Sequence, residues 1–220
     1  MKRFRKQRDV EAGFTLIDLL VGLGLASVVF ALIVSFFFNL SRSSTAQNAA
    51  AAAQQTARAG VDFMAQELRL AGLDPLNEAG AGIEQIAADG RLIRFTADRC
   101  NLPIGSSDSC TNPVPDGDVE GKNERVSFSY DPASRTLRRG LYEGTPSETW
   151  TPMVSRVVPN PDNQPLLTFL DASGNPVVDT NERGLIRTVI ITLTVEEPAG
   201  RSSVVARTYS ARVRLRNIGI

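Results

Sequence analysis

The stretch Gly13-Phe14-Thr15-Leu16-Ile17-Asp18 opens a long apolar run that continues to Leu40. Ahead of it, residues 1–13 carry Lys and Arg in excess over Asp and Glu. A helix needs about 20 apolar residues to cross the hydrocarbon core of a bilayer, and this run is longer. Because the basic residues precede the run, the sequence predicts one spanning helix, with a cytoplasmic N-terminus and an exported C-terminal part.

Two features separate this N-terminus from an ordinary secretory signal peptide. The apolar run is too long for one, and no clear small-residue cleavage site follows it. An acidic residue, Asp18, also lies inside the run. A carboxylate in the bilayer costs about 2.5–3.5 kcal/mol on insertion scales, so such a residue usually has a partner and a function.

The N-terminus resembles the signal of type IV pilins and type II secretion pseudopilins. The resemblance implies that a prepilin peptidase cuts between Gly13 and Phe14 and methylates the new amino terminus of Phe14. It also implies that Asp18, where the family usually has glutamate, neutralises a terminal amine during assembly. Aspartate is one methylene shorter than glutamate, so the chain departs from the family in the reach of this carboxylate.

The helix is predicted to continue beyond the membrane, because no proline occurs between Met1 and Asp74 and residues 41–72 are rich in Ala and Gln. An apolar stripe recurs at helical spacing and is expected to pack on a soluble domain. Its members are Ala57, Val61, Met64 and Leu68. Gly72 is a predicted C-cap.

Small residues recur at four-residue spacing in the apolar run and would permit close approach of another helix. The pairs are Gly22 with Ala26 and Ser27 with Ala31.

The predicted organisation has four parts. They are a leader at 1–13, a transmembrane and assembly helix at 14–40, its amphipathic continuation at 41–72 and a periplasmic β-rich domain at 73–220.

Residues beyond Pro75 show strand patterns separated by turns. The predicted strands are 91–95, 125–130, 136–139, 153–158, 166–170, 187–195 and 207–216. In the last two, alternation predicts an antiparallel pair with one buried and one wet face. The fold class is therefore α+β and pilin-like, with one long N-terminal helix packed on an antiparallel sheet.

Three arginines, Arg212, Arg214 and Arg216, alternate along the last strand. We interpret this row as a solvated sheet face, with binding of a partner as the alternative. The whole chain has 24 Lys and Arg against 24 Asp and Glu, which predicts no nucleic-acid binding.

Two cysteines, Cys100 and Cys110, flank a polar, turn-rich segment. In an exported domain such a pair predicts one disulfide that closes a short loop. The chain contains no histidine, which excludes His-dependent nucleophilic sites and His-ligated metal centres. A hydrolase based on paired carboxylates has no supporting spacing, so we predict neither enzymatic activity nor a cofactor.

The acidic segment Asp116-Gly117-Asp118-Val119-Glu120-Gly121 is similar to the opening of a calcium-binding loop. Its candidate ligands are Asp116, Asp118 and Glu120. Position twelve of such a loop would be Ser127 rather than glutamate, so an acidic turn before a strand is the simpler interpretation.

The helix end around Glu67-Leu68-Arg69-Leu70-Ala71-Gly72, with Asp74-Pro75 after it, resembles PilW-like minor pilins. The resemblance implies a structural subunit that initiates type IV pilus assembly near the tip, with no chemistry of its own. Its partners would be the prepilin peptidase, other minor and major pilins, and inner-membrane lipid. It would be incorporated into an extracellular pilus. The alternatives are a J-type pseudopilin of type II secretion and an anchored periplasmic adhesion or binding module.

Overall fold

A computed structural model describes residues 15–99, 115–120, 124–142, 149–201 and 203–219. Its single α-helix, α1, spans Leu16–Leu68. The chain divides into two compact units, Met1–Thr45 and Ala46–Ile220, so the second part of α1 belongs to the same unit as the strands. The prediction of an α+β fold with one long N-terminal helix and antiparallel β-structure is confirmed.

The part of α1 that lies in the C-terminal unit buries one stripe of side chains. This stripe comprises Ala49, Ala53, Ala57, Gly60, Val61, Met64, Ala65 and Leu68. The predicted apolar stripe is therefore confirmed, and it extends towards the N-terminus through small residues. A Cβ on Gly60 would contact Val154 and Leu193, so the absence of a side chain lets the helix approach the strands closely.

The first five strands form one antiparallel sheet in the order β1-β2-β3-β4-β5. They are β1 (Ile83–Ile86), β2 (Leu92–Thr96), β3 (Arg125–Asp131), β4 (Thr136–Tyr142) and β5 (Thr149–Val154). Phe95 and Phe128 of this sheet are fully buried, and their ring centroids lie 6.2 Å apart. Phe63 of α1 meets the Phe128 ring edge-on at 6.5 Å, which joins the helix to this sheet.

The remaining strands form a second antiparallel sheet. They are β6 (Val157–Val158), β7 (Leu167–Leu170), β8 (Thr188–Pro198) and β9 (Val204–Arg214). Strand β8 is central, with β6 and β7 along one side and β9 along the other. Val189, Ile191, Leu193 and Val195 are fully buried, as their alternation in the sequence predicts.

One face of β8 differs from its sequence-based prediction. Thr192 and Thr194 were expected to face water, but both are buried. The buried Asn160 explains this, because its Nδ2 donates to the Thr192 carbonyl at 2.7 Å and its Oδ1 accepts from the Thr194 hydroxyl at 2.8 Å. The threonine hydroxyls also pair with Ser210 and Thr208 of β9. Buried polar groups remain stable here because each has a hydrogen-bond partner.

A half-buried ion cluster fastens the end of α1 to the first sheet. Glu67 Oε2 lies 3.1 Å from an Arg99 nitrogen and 3.5 Å from an Arg139 nitrogen. The Arg139 guanidinium also lies 5.7 Å from the centre of the Phe63 ring. All three charged side chains are less than a fifth exposed, so one carboxylate pairs with two guanidinium groups largely out of water.

The turn after β7 contains Asp171, whose pKa is lowered by hydrogen bonds within the turn. Asp171 accepts the backbone N–H of Asn175 at 2.8 Å, its side-chain amide at 3.0 Å, and the Ser173 N–H at 2.8 Å. These bonds stabilise the charged form and hold the pKa of Asp171 below its ordinary value of 3.8. The turn is therefore stabilised at pH values above about 4, and this contribution is lost as the pH falls through the lowered pKa.

We expect Asn175→Ala to raise the pKa of Asp171 towards its ordinary value, because the side-chain amide bond is lost. Carboxyl carbon shifts of Asp-labelled protein, followed by NMR between pH 2 and 6, measure this change. Ser173→Ala keeps the backbone donor and should leave the titration unchanged. Equal midpoints for the wild type and Asn175→Ala would contradict the assignment.

Candidate functional site

The start of α1 is closed by a reciprocal set of hydrogen bonds between Thr15 and Asp18. Asp18 Oδ2 accepts the Thr15 N–H at 3.1 Å and the Thr15 hydroxyl at 2.7 Å. The Asp18 N–H in turn lies 3.3 Å from the Thr15 hydroxyl oxygen. This arrangement is a capping box, which satisfies backbone donors that a helix start leaves unpaired. Asp18 therefore has a local structural role, which the sequence analysis did not anticipate.

The apolar residues of α1 between Leu16 and Leu40 are mostly exposed. Apart from the half-buried Val34, the large ones are between 55% and 75% exposed, whereas the apolar residues of a core helix are buried. By length and composition the helix can cross a membrane, and the prediction of a spanning segment is confirmed to that extent. A surface of this size needs lipid or other helices to cover it.

The glycines of this segment, Gly22 and Gly24, have no packing role within the described chain. A Cβ placed on Gly22 or Gly24 would meet no atom within 4 Å. Glycine lowers helix stability by about 1 kcal/mol relative to alanine, so these positions cost stability without a local benefit. Close approach by a second helix would supply such a benefit.

Several predicted site residues lie outside the part of the chain that the structure describes. These are the cleavage positions Gly13 and Phe14 and the cysteines Cys100 and Cys110. The predicted cut and the predicted disulfide therefore remain predictions.

The three calcium-ligand candidates do not converge on one point. Asp116 and Asp118 each accept the N–H of the residue two positions later, at 3.3 Å and 2.9 Å, so both bend back onto their own backbone. Asp116 instead lies within 4.8 Å of Asp98 and Glu124, both fully buried. Those two carboxylates accept backbone N–H groups of Asp116, Gly117 and Arg99.

Sequence reasoning missed Asp98 and Glu124 because they are distant in the chain and belong to no recognisable motif. The Ala97 N–H donates to the Glu124 carbonyl at 2.9 Å, and this pairing of neighbouring strand ends brings them together. An isolated Asp before Arg99, or an isolated Glu before Arg125, carries no signal that would identify either residue.

The C-terminal unit has a cavity of about 210 Å³ between the two sheets. Its lining mixes Tyr130 and Pro165 with polar side chains such as Asn163 and Gln164. A larger and more open depression of about 680 Å³ lies beside Gly72 and Pro75. An adhesion or binding module would be favoured by a large apolar pocket, and polar and apolar groups line both of these in about equal measure.

No family model matches this chain, and no curated protein matches it. The architecture, one long apolar N-terminal helix whose second part packs on antiparallel β-structure, is consistent with that of a pilin.

Proposed function

We propose that this chain is a PilW-like minor pilin, a structural subunit that helps to initiate type IV pilus assembly at or near the tip. The observation that carries the proposal is the start of α1. There, the predicted cleavage signal Gly13-Phe14 precedes an apolar helix that carries Asp18 in its first turn and has no covering partner among the described residues.

Before assembly, the chain is held in the inner membrane by α1, with its C-terminal unit in the periplasm. The prepilin peptidase removes residues 1–13 and leaves a charged amine on Phe14. This amine is neutralised in the assembled fibre by an Asp18 carboxylate, from the same or a neighbouring subunit. Apolar side chains between Leu16 and Leu40 then pack against the helices of other pilins. Their exposure and the open positions at Gly22 and Gly24 support this role.

A J-type pseudopilin is a second candidate, because it shares the helix end that runs from Glu67 to Pro75. Both functions use the same assembly chemistry. They differ in the neighbouring genes, which encode other pilin-like chains with a large tip protein in one case and secretion components in the other.

The experiment compares Asp18→Ala, Asp18→Glu and Thr15→Ala by the fraction of subunit found in filaments sheared from cells. Truncating one partner of a desolvated charge pair costs about 2–5 kcal/mol, so Asp18→Ala should lower this fraction at least about tenfold. Asp18→Glu retains the charge and should assemble.

Thr15→Ala is the matched control, since it breaks the capping box and keeps the carboxylate. If Asp18 acts only as a helix cap, Thr15→Ala and Asp18→Ala should lower assembly equally, and the proposed charge pair is wrong. Absence of the wild-type chain from sheared filaments and from isolated secretion pseudopili would overturn the function itself.

A further inference from the structure

Strand β9 has one side without a partner. All its residues pair with β8 in one continuous register, from Thr188 opposite Arg214 to Pro198 opposite Val204. Along its other side, no strand and no backbone hydrogen bond occurs among the residues that the structure describes. A free strand edge of this length presents a row of N–H and C=O groups that another chain can pair with.

The other sheet edges are poor templates by comparison. Strands β1 and β7 have four residues each and β6 has two. Strand β5 carries Pro152 in its middle and pairs with β4 through a bulge. Proline and bulges block the pairing of a further strand, whereas β9 contains neither.

The register shows which groups of β9 point outward. The Leu215 N–H donates to the Arg187 carbonyl, so the pair Leu215–Arg187 is hydrogen-bonded. Hydrogen-bonded pairs alternate along an antiparallel ladder. The outward N–H and C=O groups therefore belong to every second residue of β9, counted back from Arg214. The side chains of these residues are all exposed. These are Val204, Ala206, Thr208, Ser210, Arg212 and Arg214.

This edge also carries charge that the described chain does not neutralise. Arg212, Arg214 and the following Arg216 are exposed and have no hydrogen bond or ion pair with any described residue. The nearby carboxylate of Asp171 is held by its own turn. On β8 itself, Glu196 and Glu197 are paired with Arg135 and Arg156.

We propose that the free edge of β9 binds an extended segment of a partner protein that carries carboxylates at alternate positions. The segment adds to the sheet as a further strand. Arginines at alternate positions lie about 7 Å apart, since a strand rises about 3.4 Å per residue. Alternate side chains of the added strand have the same spacing and lie on the same face, so each carboxylate meets an arginine. Backbone pairing supplies affinity and the charges select the register.

A nucleic acid fits this surface less well. The exposed row contains no aromatic side chain on which bases could stack. It offers backbone donors and acceptors in a line, which a polypeptide strand matches. The proposal uses only residues 187–216, so it does not rest on the proposed role of α1 in assembly.

The experiment uses the full chain in detergent micelles and a fluorescent peptide of alternating Glu and Thr, matched in length to β9. Anisotropy at physiological salt measures its binding. We expect saturable binding that the double variant Arg212→Glu, Arg214→Glu weakens at least about tenfold, because like charges then oppose each other. The charge reversal Arg91→Glu, at an exposed arginine beside the first sheet, should bind as the wild type does.

A second pair of variants tests backbone pairing. Ser210→Pro removes an outward N–H, a position where a sheet edge tolerates proline, and should abolish binding. Ser210→Ala loses only the hydroxyl and should retain it. Tryptophan fluorescence melts confirm that each variant is folded.

Three outcomes would overturn the proposal. The first is no saturable binding of the peptide up to about 1 mM. The second is equal binding by Ser210→Pro and Ser210→Ala, with oligothymidylate as a stronger ligand, which would indicate a polyanion surface. The third is self-association of the Arg212→Glu, Arg214→Glu chain with unchanged peptide binding. This would mean that the arginines only prevent β9 from pairing with a second copy of the chain.

Discussion

The Gly13→Ala chain is expected to keep residues 1–13 and to accumulate in the membrane as the precursor. The family resemblance places the peptidase cut after Gly13, where the charged leader meets the apolar run. One extra methyl group in a closely shaped enzyme pocket is worth about 10–200-fold in rate, so processing should slow at least about tenfold. Mass spectrometry of the membrane-extracted chain identifies the N-terminus directly.

In the wild type, the same measurement should find a methylated Phe14 as the first residue. Ala12→Ser is the matched control, since it alters the leader by one small residue and leaves Gly13 in place. A Gly13→Ala chain of mature size that still enters filaments would show that Gly13 does not direct the cut, and the hypothesis of a processed N-terminus defined by Gly13 would fail.

Gly90→Ala is expected to destabilise the C-terminal unit by about 3 kcal/mol or more, the upper range for a single substitution. Gly90 has φ +69°, which L side chains rarely adopt. A Cβ there would also overlap the Leu167 carbonyl oxygen and lie 2.6 Å from Pro165 Cβ. Gly90 joins the two sheets, because the Leu167 N–H donates to its carbonyl at 3.0 Å. The added methyl group therefore pushes this junction apart.

Gly174→Ala separates the cost of the positive φ from the cost of the steric overlap. Gly174 has φ +88°, but its Cβ would meet no atom within 4 Å. It should therefore show only the conformational cost of about 1–2 kcal/mol. The single tryptophan, Trp150, lies on β5 and reports melting of the C-terminal unit. A loss of 3 kcal/mol corresponds to roughly 6–12 °C in Tm. Equal losses for both variants would show that the junction tolerates the methyl group.

The sequence predicted the elements whose burial follows a simple period. The stripe of α1 repeats every three or four residues, and β8 alternates strictly from Val189 to Val195, so both were found. Strand β1 was missed because a register shift between Ile83 and Gln85 interrupts its alternation. Both Ile83 and Ile86 are consequently buried, and this three-residue spacing is typical of a helix rather than of a strand.

The division into two sheets was not predictable from the sequence either. The predicted strand at 153–158 is interrupted at Arg156, whose φ of +59° turns the chain out of the first sheet and into the second. Arginine has no preference for this conformation, and what stabilises it here is distant in sequence. The Glu196 N–H donates to the Arg156 carbonyl, and Glu197 pairs with its guanidinium. Long-range contacts of this kind decide local conformation without leaving a local pattern.

The candidate site was predictable in its residues and not in its geometry. Asp18 was identified from its position in an apolar run, where a charge is costly. Its bonds to Thr15 depend on where the helix begins, which the sequence left undefined within a few residues.

The shape of that capping box has a consequence for the aspartate itself. Both bonds from Thr15 end on Oδ2, and Oδ1 accepts none from the described residues. The two oxygens can therefore divide two tasks, since one closes the helix of its own chain while the other remains available to an ammonium group. A side chain that completes its own helix start is also held in one rotamer, so its second oxygen is presented at a fixed point. In the proposed assembly, this rigidity would offset the short reach of aspartate, because the amine would approach a carboxylate that is already held in place.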